Sequence, residues 1–177
     1  MIVLVTGASH AGKTLLAQRI LEKCSFPYLC IDHLKMGLIR SGCTKLTPED
    51  DDELTDYLWP IVREMIKTAI ENKQNLVVEG CYIPANWRCD FDTQYLNEIR
   101  FVCLALSESF ISQNFDAMCS HACDIEDRMD DSGFTQDFVK KENAAFIKRF
   151  TEAGEKVTVI DEAYESVLDD VVRHIVK

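Results

Sequence analysis

The sequence predicts a single α/β domain in three layers, a parallel sheet of five strands covered by helices on both faces. Three observations predict it. Short apolar runs alternate with amphipathic helical stretches along the whole chain, the pattern of repeated strand–helix–strand crossovers. Residues 7–14, Gly-Ala-Ser-His-Ala-Gly-Lys-Thr, fit the phosphate-binding pattern G-x-x-x-x-G-K-[ST] between the first apolar run and the first helical stretch. The chain has 177 residues with no internal repeat, low-complexity segment or linker, so the domain is expected to span 1–177.

The first strand is Ile2-Val3-Leu4-Val5. Backbone N–H groups of the loop that follows point inward at the positive end of a helix over 14–21, where a polyphosphate can sit. Gly7 and Gly12 permit backbone angles and a close approach that a side chain would obstruct. Ala8, Ser9, His10 and Ala11 fill the variable positions, His10 as a structural or lid-facing residue. Lys13 supplies a point charge for the β- and γ-phosphates, and the Thr14 hydroxyl is placed to ligate Mg²⁺.

Ser25-Phe26-Pro27 breaks the chain before a second strand, Tyr28-Leu29-Cys30-Ile31. Asp32 then stands at the carboxyl end of a strand, the edge where ligands of open α/β sheets bind. There it is placed to take a proton from an acceptor hydroxyl, to hold a substrate amine, or to cap a short helix over 33–41. Thr47-Pro48-Glu49-Asp50 reads as a helix start, and the acids at 49–53 read as dipole complement and solvated surface. Leu54, Leu58, Ile61, Val62, Met65, Ile66 and Ala69 continue that helix with an apolar face, and Pro60 is a candidate kink.

The third strand, Asn75-Leu76-Val77-Val78, ends at Glu79, a candidate to act on Mg²⁺ through water. Residues 81–91 read as irregular. The fourth strand covers 99–106, and helix resumes from Ser107. Residues 121–134 are polar, carry a single Arg, and read as a mobile connection. A helix over 137–150, a fifth strand over 156–160 and a closing helix over 163–176 complete the chain.

Composition narrows the function. A net charge of −11, from 30 acidic and 19 basic residues, argues against nucleic-acid binding but not against a nucleotide, which needs only local cations. No apolar run is long enough to span a bilayer, and the N-terminal run lacks a basic flank, so no membrane partner and a cytoplasmic location are expected. Of the eight cysteines, only Cys119 and Cys123, with His121, resemble a metal cluster, and without a second ligand pair they read as a helix face.

The loop motif alone fits kinases, GTPases, motor ATPases and sulfotransferases. The GTPase motifs DxxG and NKxD are absent at plausible positions, and the chain is small for a mechanical ATPase. Phosphoryl transfer to a small acceptor remains, which needs a phosphate cradle, Mg²⁺, an orienting group and cations over the transferring group. Arg128 and Arg149 are the candidate cations, since Arg suits multi-oxygen phosphate contacts. Lys35, Arg40 and Arg88 lie on segments expected to border an acceptor pocket, at about 32–59 and 80–91.

On GASHAGKT, the strand-end Asp32 in YLCIDHLKMG, the NLVVEG strand and the VTVID strand, the chain resembles the adenylate-kinase-like group of small P-loop kinases. The resemblance implies a P-loop NTPase sandwich with strand order 2-3-1-4-5 and an arginine-bearing lid over ATP, here about 119–135. True adenylate kinases place an Arg shortly after the strand-two Asp and several in and after the lid. Here Lys35 follows Asp32, and the lid carries only Arg128. The Asp at the end of strand two followed by a helix, and the VVEG strand, look more like the kinases of small hydroxyl compounds, such as chloramphenicol phosphotransferase, 2-phosphoglycerate kinase and the zeta-toxins. In those relatives the corresponding Asp acts as a base on the acceptor hydroxyl, the role implied for Asp32. The expectation is an ATP- and Mg²⁺-dependent phosphotransferase acting on a small hydroxylated molecule, as a monomer or homodimer. A nucleoside monophosphate kinase is the alternative enzyme, and a nucleotide sensor without turnover is the alternative of another class.

Overall fold

The computed structural model describes residues 1–121 and 135–175. Its strands are β1 (Ile2–Gly7), β2 (Tyr28–Cys30), β3 (Leu76–Glu79), β4 (Ile99–Leu106) and β5 (Val157–Ile160). Its helices are α1 (Lys13–Cys24), α2 (Ile31–Arg40), α3 (Asp51–Glu71), α4 (Thr93–Leu96), α5 (Glu108–His121), α6 (Gln136–Glu152) and α7 (Tyr164–Ile175), with a 3₁₀ turn at Trp87–Asp90. The five strands are ordered β2-β3-β1-β4-β5, as the resemblance implied. Every pairing is parallel, so all five carboxyl ends lie on one edge.

β1 is buried along its whole length because it is central and covered on both faces. Its side chains alternate between two cores. Val3 and Val5 join Val102 and Leu104 of β4 beneath α1 and α7, where Leu16, Ile20, Leu168 and Val172 close the layer. Ile2 and Leu4 face the other way, onto Leu54, Leu58, Val62 and Ile66 of α3. A smaller cluster places Phe146 and Phe150 of α6 against Cys103 and Ala8, beside the glycine loop. Charge pairs bind α7 to α1: Arg19 meets Glu165 and Asp169, and Lys23 meets Asp169 at 2.7 Å. The helix that carries the loop is thereby held from outside as well as from the core.

Several boundaries differ from the sequence expectation. α2 begins at Ile31, directly on the end of β2, so Asp32 lies in its first turn, and Cys30 rather than Asp32 is the N-cap residue. α3 begins at Asp51 rather than near Thr47. Asp50 turns its carboxylate back to the Thr47 amide at 2.7 Å and hydroxyl at 3.0 Å, so Thr47–Asp50 closes a turn before the helix. α3 runs through Pro60 to Glu71. Part of 81–91, expected to be irregular, is a 3₁₀ turn around the buried Trp87, stacked on Phe101 with ring centroids 5.1 Å apart. The short α4 was not expected. None of the described helices is long and apolar enough to cross a membrane.

Candidate active site

The site forms where β1, β2 and β3 end. β1 runs out at Gly7, and residues 8–12 carry the chain to α1. Two positions there admit only glycine. A methyl group on Gly7 would overlap the Leu104 carbonyl oxygen of the adjacent strand. Gly12 has φ 89°, in the left-handed region, and a methyl group on it would overlap the Tyr164 hydroxyl. The loop holds its shape with few internal bonds, Ala8 N–H to Leu104 O and Ala11 N–H to Ala8 O, each 3.3 Å. Gly12 is the N-cap of α1 and offers no side-chain cap, so the first-turn amides keep their capacity for an anion.

Lys13 and Thr14 open α1. Lys13 Nζ donates to the Ala8 carbonyl at 3.0 Å, so the ammonium is folded over the loop. Thr14 Oγ1 donates to Glu79 Oε1 at 3.3 Å. Glu79 ends β3 beside β1 and is only 1% exposed. Burial pushes its carboxyl above the ordinary carboxylate range, while the Cys30 thiol, the Lys13 charge and the Thr14 hydroxyl pull it back. Thr6 donates to the Gly80 carbonyl at 2.9 Å and pins the chain just past Glu79.

These residues fit the groups expected here. The loop is a cradle that a Cβ at Gly7 or Gly12 would obstruct, with a helix N-terminus and an ammonium at its floor. Thr14 and Glu79 supply two hard oxygen donors side by side, as suits Mg²⁺, which keeps several of its waters. Among the described residues there is no group of three or more His, Cys, Asp or Glu side chains able to hold a metal.

The second half of the site surrounds Asp32. Its Oδ1 meets Lys35 Nζ at 3.0 Å, one turn along α2. Lys35 Nζ also donates to the Tyr82 hydroxyl at 2.8 Å, and that hydroxyl donates to Asp51 Oδ1 at 2.9 Å. The proton directions are fixed, because an ammonium can only donate. Tyr82 is buried, 3% exposed, and burial first, then the neighbouring Cys81 and the carboxylates of Asp32 and Asp51, push its hydroxyl pKa far up. Asp51 is exposed in the first turn of α3, as the reading of the acid run expected, and in addition accepts the Tyr82 hydroxyl.

The structure thus brings Gly7, Gly12, Lys13, Thr14, Asp32, Lys35 and Glu79 to one edge. Other expected residues lie apart. Arg40 is exposed in the last turn of α2, about 12 Å along the helix from Asp32. Arg88 is spent on the buried Glu155, with contacts of 2.5 and 3.0 Å, and stacks on Trp87. Arg149 is exposed on α6 with its guanidinium 4.5 Å from the Phe146 ring centroid, next to the cluster that touches Ala8. Arg128, Cys123, the His121 side chain and most of the expected lid at 119–135 lie outside the described residues; Cys119 is exposed on α5. Sequence reasoning missed Thr6, Asp51, Tyr82 and Tyr164. Only Tyr82, a polar aromatic three residues past an expected strand end, offered any signal.

No family model and no curated protein matches this chain. Solved structures do. A sugar kinase from Janibacter sp. HTCC2649 is 15% identical at a TM-score of 0.60, over 98% of this chain and 93% of that one. A deoxyadenosine kinase from M. mycoides, solved with products bound, is 12% identical at 0.58, over 99% and 98%. A shikimate kinase from Aquifex aeolicus is 14% identical at 0.52, over 99% and 96%. At such identities the likeness establishes architecture: the chain has the fold of the small P-loop kinases.

Proposed function

We propose that this chain is an ATP- and Mg²⁺-dependent phosphotransferase that moves the γ-phosphate to a hydroxyl group of a small molecule. The observation that carries the reading is the convergence, at one sheet edge, of a glycine cradle bearing Lys13, the Thr14–Glu79 oxygen pair and the Asp32 carboxylate. The sugar and shikimate kinases among the similar folds support a small acceptor. Bound MgATP would supply the activated phosphoryl group and part of the charge that neutralises it.

The chain's own residues do the rest. Loop amides and Lys13 hold the phosphates, and Thr14 with Glu79 holds the cation. Asp32, fixed through one oxygen by Lys35, takes the acceptor proton with the other. Arg149, beside the cluster that touches Ala8, is the candidate cation for the transferring group, and Arg128, outside the described residues, is the second candidate. A hydroxyl acceptor is favoured over a nucleoside monophosphate by the state of Lys35. Its ammonium is already held by Asp32 and Tyr82, and a second phosphate calls for bidentate arginines.

The test is ATP consumption against a panel of hydroxylated small molecules and nucleoside monophosphates. Transfer to a hydroxyl compound is expected, and Asp32→Asn should lower it about 100-fold or more with MgATP affinity kept. AMP as the sole productive acceptor would overturn the assignment, and nucleotide binding without transfer to any acceptor would favour the sensor.

A further inference from the structure

Tyr164 opens α7 after β5 and has no part in the proposed transfer. It is far from Gly12 in sequence and against it in space. A methyl group on Gly12 would stand 1.9 Å from the Tyr164 hydroxyl oxygen and 2.9 Å from Cζ of its ring. The hydroxyl therefore fills the space that a side chain at position 12 would need. The ring is held in place. It stacks on Phe110 of α5, with centroids 5.9 Å apart and planes inclined by 24°. Arg19, about two turns along α1 from Gly12, donates to the Glu165 carbonyl at 3.1 Å and pairs with the Glu165 and Asp169 carboxylates. These contacts clamp α7 along α1, with Tyr164 at the end that meets the glycine loop. Burial first, then the Glu165 carboxylate, push the Tyr164 hydroxyl up to about 12, so it is neutral beside a loop shaped for phosphate.

Gly12 has need of such a contact. Its φ of 89° is one of several regions that glycine visits with equal ease. The backbone bonds on either side are Ala11 N–H to Ala8 O at 3.3 Å and Leu16 N–H to Gly12 O at 2.9 Å. Neither engages the Gly12 amide, which with the first amides of α1 has to point at the anion. A clamped ring against the Gly12 Cα leaves the turn little room to relax out of that region.

We infer that Tyr164 is a positioning residue for the phosphate cradle: its hydroxyl, seated against Gly12, holds the left-handed turn so that the first amides of α1 are aligned before a nucleotide arrives. The inference rests on the reading of the loop as a phosphate site. The cost of ordering the loop then falls on folding rather than on binding.

The experiment reads nucleotide affinity and loop order without turnover. ADP binding is measured by calorimetry for wild type, Tyr164→Phe, Tyr164→Ala, Gly12→Ala and the variant that combines Gly12→Ala with Tyr164→Ala. Amide hydrogen exchange over residues 8–15 is followed without nucleotide. Tyr164→Phe keeps the ring on Phe110 and loses only the seated atom, so ADP affinity should fall about threefold, against about tenfold for Tyr164→Ala. Exchange should quicken at Gly12, Lys13 and Thr14 in both variants while α7 keeps its protection. Gly12→Ala carries the same backbone strain in either background, so a smaller loss of affinity beside Tyr164→Ala isolates the contact. Wild-type ADP affinity in Tyr164→Ala, additive losses in the combined variant, or exchange that rises over α7 as much as over the loop would overturn the inference. Unchanged loop exchange in Tyr164→Phe counts against it even if Tyr164→Ala fails to fold. Absence of ADP binding by wild type would instead overturn the phosphate-site reading, and the exchange measurement would still judge the contact.

Discussion

The glycine loop at 7–14 and the network around Asp32 share one edge of the sheet but are made of different materials. The loop is backbone. Its shape comes from two glycines whose missing side chains admit Leu104 O and Tyr164, and its charge from helix amides plus the adjacent Lys13. The Asp32 network is side chain: Lys35 from α2, Asp51 from α3 and Tyr82 from the segment after β3, linked over contacts of 2.8 to 3.0 Å. A backbone site is specified by consecutive residues and tolerates few substitutions. A side-chain network is assembled by the fold and is where specificity can change without loss of the cradle.

Four substitutions probe that contrast, from the largest effect to the smallest. Lys13→Ala removes the one side-chain charge of the cradle and should lower ATP turnover about 100-fold or more, measured by coupled assay. An unchanged rate and MgATP affinity would break the comparison at its root. Tyr82→Phe should act on the other half alone. It strips Asp51 of a donor and Lys35 of an acceptor, costing about 1–2 kcal/mol in chemical denaturation and raising the acceptor KM while ATP affinity stays.

Glu79→Gln tests where the halves meet. Burial raises the folded-state value of Glu79 above its ordinary 4.5, so the folded chain binds the extra proton. Its contribution to stability is full below about 4.5 and is lost as pH rises through the raised value. Relative to Glu79→Gln, metal-free wild type should therefore lose melting temperature on going from acid toward neutral pH, and the variant should respond less to Mg²⁺. Arg88→Ala should affect activity least, leaving both substrates' KM unchanged; its effect is on stability alone, about 1–3 kcal/mol lost, because it strands the buried Glu155 carboxylate and removes the stacking on Trp87. A raised acceptor KM in that variant would return Arg88 to the acceptor side.

What could be read in advance follows from the same contrast. The cradle was legible because its parts are contiguous and glycine, lysine and threonine each have a stated job there. Glu79 was legible as an acid closing an apolar strand. Asp32 was placed at the right edge, but its position within α2 was misjudged, because β2 passes into the helix without a loop. Arg88 looked available for an acceptor until Glu155, 67 residues away in sequence, was seen to take it. Asp51 lies at the surface as expected, but its bond to Tyr82, 31 residues away in sequence, was not legible. Charged side chains far apart in sequence choose partners by three-dimensional proximity, which no local pattern encodes.

The sequence by itself determined the alternation of strands and helices, the two-faced burial of β1 and the phosphate cradle, because periodicity and backbone permission are local properties. The tertiary structure decided the rest. It set Cys30 beside Glu79 through strand register, joined Asp32 to Asp51 through Lys35 and Tyr82, and spent Arg88 on a buried carboxylate. Each of those outcomes depends on desolvation and distance, and both exist only once the chain has folded.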